Sequence, residues 1–152
     1  MARQHAAAPG EAMSVEENIH VVERFLAAFT DGDTATAQQL LAPDFINHDP
    51  PALPGVGRDR AGVLTAIRYL HSAFENARAE LVCIVADGDR VAVHDRLRGT
   101  HRGDFLGLAP TGREITVDFI HFFRVLDGRI VERRGVVDTA AMRRQLGAAP
   151  DA

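Results

Sequence analysis

The stretch "VDFIHFFRVLDGRIVERRGVVD", Val117 to Asp138, alternates like two strands around a turn, yet it carries a histidine and an arginine among its apolar positions. His121 and Arg133 are one pair of groups able to do chemistry: an imidazole can move a proton near neutral pH, and a guanidinium can hold a developing oxyanion. A third group comes from "VAVHDRLRG", where Val91, Val93, Asp95, Leu97 and Gly99 share one side of a period-two pattern and place Asp95 with the apolar set. An acid, a histidine and an arginine on one apolar face suit proton transfer in a lined pocket, with His121 and Asp95 as the catalytic candidates and Arg133 as a binding group. They also suit a structural cluster in which buried charges satisfy one another, and that alternative stays open. His48 and Asp49, on the proline-rich stretch "NHDPPALPG", and His101, after the strand that holds Asp95, are secondary candidates for the pocket mouth. The remaining histidines, His5, His20, His71 and His94, show no ligand spacing such as HxxxH with one another or with these, so no metal site is expected.

The orientation of the pair depends on hairpin register, because a one-residue slip turns a whole strand over. A two-residue turn at Asp127-Gly128 places Phe123 opposite Glu132. A turn through Leu126-Asp127 with Gly128 as a left-handed bulge instead sets Phe123 against Val131, His121 against Arg133, Phe119 against Gly135 and Val117 against Val137. The second register gathers Val117, Phe119, Phe123, Val125, Val131 and Val137 on one face, and it is the one expected. It leaves Ile120, Phe122, Ile130 and Val136 on the opposite, mixed face, an apolar patch that points to a homodimer.

Upstream, Ser14 followed by Glu17 is a capping box opening a helix whose buried face runs through Ile19, Val22, Phe25, Leu26 and Phe29. "DGD" ends it, Asp33 or Thr34 caps a short second helix that Pro43 closes, and residues 44 to 57 read as loop. A third helix covers about Asp59 to Phe74. Strands follow at 79–86, 90–99, 115–125 and 129–137, with a glycine-rich connection at 99–114 and a short closing helix at 139–146. Helices first and antiparallel strands afterwards predict an α+β domain, its helices packed on one face of a curved sheet that makes a cone.

The chain has 152 residues, which fits one domain: a disordered tail at 1–13, a folded unit at 14–147 and a flexible C-terminus at 148–152. All 17 basic residues are arginine, and the net charge of -4 offers no basic footprint for nucleic acid. No apolar run reaches the roughly 18 residues of a membrane span and no secretory signal is evident, so a cytoplasmic protein is expected. The single cysteine, Cys83 in "LVCIVA", excludes an internal disulfide and reads as a buried thiol.

Three segments, "NHDPP", "GDRVAVHDRLRGTHRGDFLGLAPTGREI" and "FRVLDGRIVERRGVVDTAAMRRQLG", resemble in order the SnoaL-like polyketide cyclases and ester cyclases of the NTF2-like superfamily. The resemblance implies a cone-shaped α+β barrel that dimerises through its sheet. It also implies cofactor-free acid/base chemistry on a small, oxygenated, polyketide-like molecule, with aldol-type cyclisation first. Epoxide opening, hydroxylation and non-catalytic small-molecule binding are the alternatives within the superfamily. His121 matches the family's pocket histidine. The family's catalytic acid on the last strand maps to Gly135, and Arg133 and Arg134 replace the histidine and tryptophan before it, so Asp95 is the candidate for a migrated acid. Phe119, Phe123 and Gly135 are expected to line the pocket with Arg133.

Overall fold

The computed structural model describes residues 13–148, so the expected tail and C-terminus lie, apart from Met13 and Ala148, outside the described residues. Helix α1 (Val15–Asp31) starts where Ser14 accepts the Glu17 N–H and stops at Gly32, whose positive φ lets its N–H close back on Ala28 and Phe29. Helix α2 (Thr34–Leu40) is capped by Asp33 and α3 (Arg60–Ala73) by Asp59. The strands are β1 (Leu41–Asn47), β2 (Phe74–Asp87), β3 (Arg90–His101), β4 (Glu114–Leu126) and β5 (Arg129–Val137), and α4 (Thr139–Gln145) closes the chain. They form one sheet in the order β1-β5-β4-β3-β2, antiparallel except where β1 runs parallel to β5.

The α+β class and the helix positions follow the expectation. The sheet is not closed into a barrel: α3 touches both of its edge strands, β1 and β2, and spans the gap between them. Helix α1 buries Val22, Phe25 and Leu26 against Val91, Val93 and Phe123, while Leu70, Phe74, Phe105 and Met142 form a second apolar cluster toward the other end. Among the described residues, no helix is long and apolar enough to cross a membrane.

Three expectations are corrected. Residues 44–47, read as loop, belong to β1, which starts at Leu41 and contains Pro43, read as the close of the second helix; a proline lacks the N–H of a ladder, and β1 tolerates it because it is an edge strand. Cys83 is exposed, because it pairs with His94 on the outer side of an edge strand.

The third correction is the hairpin register. The turn is the two-residue one, with both Asp127 and Gly128 at positive φ, and Leu126 pairs with Arg129. The bulge lies further along, between the pairs Val125–Ile130 and Arg124–Glu132, with Val131 as the extra residue. Hence His121 faces Gly135 and Phe123 faces Arg133. Ile130 turns inward and is fully buried, contrary to its expected place on the outer patch. The displaced bulge restores the parity beyond it, so Arg133, Gly135 and Val137 share the inner face with His121.

Candidate functional site

Register places one polar row across four strands. Asn47 on β1 pairs with Arg133 on β5; Arg133 is one step diagonal to His121 on β4, and His121 one step diagonal to Asp95 on β3. All four are buried, with Asp95 only 2% and Arg133 8% exposed. Arg133 Nε donates to His121 Nδ1 at 2.8 Å, and Nη1 donates to Asn47 Oδ1 at 3.1 Å and to the Asp49 carbonyl at 3.0 Å. A guanidinium has no acceptor, so His121 Nδ1 must be the acceptor and the ring proton sits on Nε2. That nitrogen lies 3.0 Å from Asp95 Oδ1, but the contact is too poorly aligned to count as a hydrogen bond for the carboxylate oxygen, which has no other partner. The contact is therefore one between the ring N–H dipole and the carboxylate, not a formed hydrogen bond.

Burial lowers the His121 pKa, helped by the positive charge of Arg133 and opposed by Asp95, so the imidazole is neutral near pH 7. Protonating Nδ1 would also set two donors face to face and break the Arg133 bond. Burial pushes the Arg133 pKa down as well, against the charges of Asp49 and Asp95, yet a guanidinium keeps its charge.

The row opens onto two joined cavities. An inner one of about 90 Å³ is lined by His121, Arg133, Phe25, Phe45, Phe119 and Phe123. An outer one of about 870 Å³ is lined by Asp49, Leu53, Phe105, Phe119, Gly135 and Met142, among others. They share Pro51, Leu70, Phe119 and Val137. A cavity of this size, apolar with few polar groups, suits a polycyclic small molecule.

The structure thus brings together His121, Arg133, Asp49, Phe119, Phe123 and Gly135 around the cavities. Asp95 lies behind His121 and lines neither. Two candidates are displaced from the mouth. His48 follows inward-facing Asn47 by one residue, so alternation turns it away, and its Nε2 lies 3.4 Å from Glu132. His101 is fully buried, packed against Phe74, with Nδ1 bound to the hydroxyl and N–H of Thr111; it pins the base of the loop after β3.

Three contributors were not foreseen. Asn47 receives Arg133 and the Asp49 N–H on one oxygen, an Asx turn whose signal was the Asn-His-Asp-Pro run. Phe105 and Leu106 wall the outer cavity, their loop held by Leu106 N–H donating to the Tyr69 hydroxyl at 2.8 Å.

Gly135 has a steric reason. A Cβ there would lie 2.6 Å from Arg133 Nη2 and 2.6 Å from the Ile120 carbonyl oxygen, so the guanidinium occupies the room a side chain would need. The Gly135 N–H donates to Asp49 Oδ2 at 3.0 Å.

The family model described as SnoaL-like polyketide cyclase matches residues 19–146. The nogalonic acid methyl ester cyclase of Streptomyces nogalater is 31% identical over 124 residues, covering 80% of this chain and 91% of that protein. An aklanonic acid methyl ester cyclase of Streptomyces galilaeus is 29% identical over 133 residues, covering 88% and 92%. Among solved structures, wild-type IdmH from Streptomyces antibioticus is 36% identical with a TM-score of 0.75, covering 86% of this chain and 99% of that one.

Proposed function

The chain belongs to the SnoaL-like polyketide cyclase family, and from that premise we propose that it closes a ring in an enolisable, oxygenated polyketide-like ester by cofactor-independent aldol chemistry. The observation that carries this reading is the Arg133 guanidinium, buried at the wall of an apolar cavity and fixed on three sides. Aldol closure builds negative charge twice, on an enolate oxygen and then on an alkoxide oxygen. A preoriented cation in a water-poor site stabilises both without reorganising. Nη2 takes no part in the bonds to His121, Asn47 and Asp49 and lies beside Gly135, a lining residue of the outer cavity.

In this reading His121 and Asp95 work through Arg133. His121 Nδ1 accepts from Arg133 while its Nε2 faces Asp95 Oδ1 at 3.0 Å, so the ring fixes the guanidinium and the acid stands behind the ring. The test uses aklanonic acid methyl ester and nogalonic acid methyl ester as probes. The wild type is expected to convert one of them to a ring-closed isomer of the same mass. Arg133→Met is expected to lower kcat by roughly 10²–10³-fold, the usual cost of removing a preoriented oxyanion donor. Binding of both esters without turnover by the wild type would establish the non-catalytic binder instead.

The reading includes a cytoplasmic enzyme and a homodimer formed through the outer face of the sheet. Support for the dimer comes from register: Val85, Ala92 and Phe122 form one outward row across β2, β3 and β4, and Ile120 pairs with Val136 in the next. Phe122 is 54% and Val136 70% exposed. A two-fold axis through such a strip would set the same patch of both copies face to face.

A further inference from the structure

Aldol closure needs a group that takes a proton from carbon and later returns one to oxygen. The three buried polar groups around the inner cavity do not provide it. Arg133 is always charged, Asn47 is an amide, and the one basic lone pair of the neutral His121 ring, on Nδ1, is taken by Arg133. Asp95 lines no cavity. Among the described residues lining the two cavities, one carboxylate remains: Asp49.

We infer that Asp49 is the catalytic acid/base of this enzyme, an inference that rests on the cyclase reading above. Its placement is built rather than incidental. The Asp49 N–H donates to Asn47 Oδ1 at 3.1 Å and its carbonyl accepts from Arg133 Nη1 at 3.0 Å, so the backbone is clamped on both sides of the side chain. The carboxylate then reaches across to β5, where Oδ2 accepts the Gly135 N–H at 3.0 Å. Oδ2 is anchored on the backbone, and Asp49 lines the outer cavity. Gly135 makes this possible, since any side chain there would meet the guanidinium and the Ile120 carbonyl. The carboxylate and Arg133 Nη2 therefore both abut the same glycine, placing a proton acceptor next to a cationic oxyanion donor.

The balanced steps follow. The Asp49 carboxylate removes a proton from the carbon flanked by carbonyls, and the C–H electron pair passes to the enolate oxygen held by Arg133. The enolate carbon then attacks a ketone of the same molecule, forming the ring C–C bond and an alkoxide. Protonated Asp49 returns its proton to that alkoxide. The product is an isomer of the substrate, with no oxidant, reductant or water consumed.

The experiment compares wild type, Asp49→Asn and Asp49→Ala with the same two methyl esters, following ring closure and, in deuterium oxide, exchange at the acidic carbon. Asparagine keeps an acceptor for the Gly135 N–H but cannot take a proton. Its kcat for both readouts is expected to fall by about 10²–10⁴-fold with little change in KM, the range for loss of a general base. Added formate should restore activity to Asp49→Ala in proportion to its concentration, a rescue that a merely structural aspartate would not show. An Asp49→Asn enzyme that turns over normally, or an Asp49→Ala enzyme with thermal stability like the wild type but no response to formate, would place the base elsewhere while the cyclase reading stands. A wild type that neither cyclises nor exchanges either ester would defeat the reading itself, and this assignment with it.

Discussion

At the scale of the residue, His121 is most informative through the proton it does not carry. Its folded pKa lies below the ordinary histidine value, chiefly from burial, so in the window just below pH 6.5 the unfolded chain binds more protons than the folded one. Stability therefore rises with pH through that window and is lost as pH falls through it. The loss also has a structural route, since an Nδ1 proton would expel Arg133. We expect urea midpoints measured from about pH 7.5 to about pH 5.5 to fall more steeply for the wild type than for His121→Asn, which has no ring proton to gain. Parallel slopes would mean that the imidazole is not held neutral. Polar residues standing inside an apolar alternation made Asp95, His121 and Arg133 legible in the sequence. The assignment of work among them was not, because it depends on which ring nitrogen meets which partner. Asp49 was legible only as a loop residue near the mouth, its reach to Gly135 spanning 86 positions of chain.

At the scale of the element, the β4–β5 hairpin decides the site. The Asp127-Gly128 pair signalled a tight turn, and the structure uses it in the two-residue form. Pattern alone placed a bulge at Gly128, whereas the extra residue is Val131, two steps into β5. Both arrangements bring Arg133, Gly135 and Val137 inward, which is why His121 and Arg133 were correctly expected on one face from an incorrect register. They differ at Ile130, whose burial has no sequence signal apart from its own hydrophobicity. β1 was missed for a related reason: a proline argues against a strand unless the strand is known to be an edge, and edge position is a property of the whole sheet. Beyond the bulge, Gly135 stands where the inner face has no room. Gly135→Ala must push its new methyl against Arg133 and the rigid Ile120 carbonyl. A destabilisation of about 1–3 kcal/mol is expected, as for other overpacked sites, read by denaturant unfolding. Arg133→Ala in the same chain removes the movable half of the clash and should make the second substitution cost less than it does in the wild type.

At the scale of the molecule, the two faces of the sheet serve different ends. The inner face, roofed by α1 and α3, holds the polar row and the cavities, and helices-then-strands order made that layering readable from the start. Among the described residues, the outer face carries no helix over Ile120, Phe122 or Val136, which are exposed. Ion pairs such as Arg96–Asp118 border it, and Phe122, Ile120, Val136 and Val85 expose their side chains. Edge-on aggregation is not its natural outcome, because the apolar strip crosses the middle strands and both edges of the sheet meet α3. A second copy laid face to face would bury the strip on both chains at once, with each chain's Phe122 near the axis-related apolar row of the other. Light scattering at tens of micromolar should give twice the 16.5 kDa chain mass. Phe122→Glu places a charge in that strip on both copies and should return the chain mass, since like charges facing each other across a desolvated interface are costly. Phe122 lies on the side of β4 away from the cavities, so the monomeric variant should keep its turnover per chain. A wild type that scatters as a monomer at that concentration removes the dimer, and a variant that loses turnover along with association would show that the two faces are coupled.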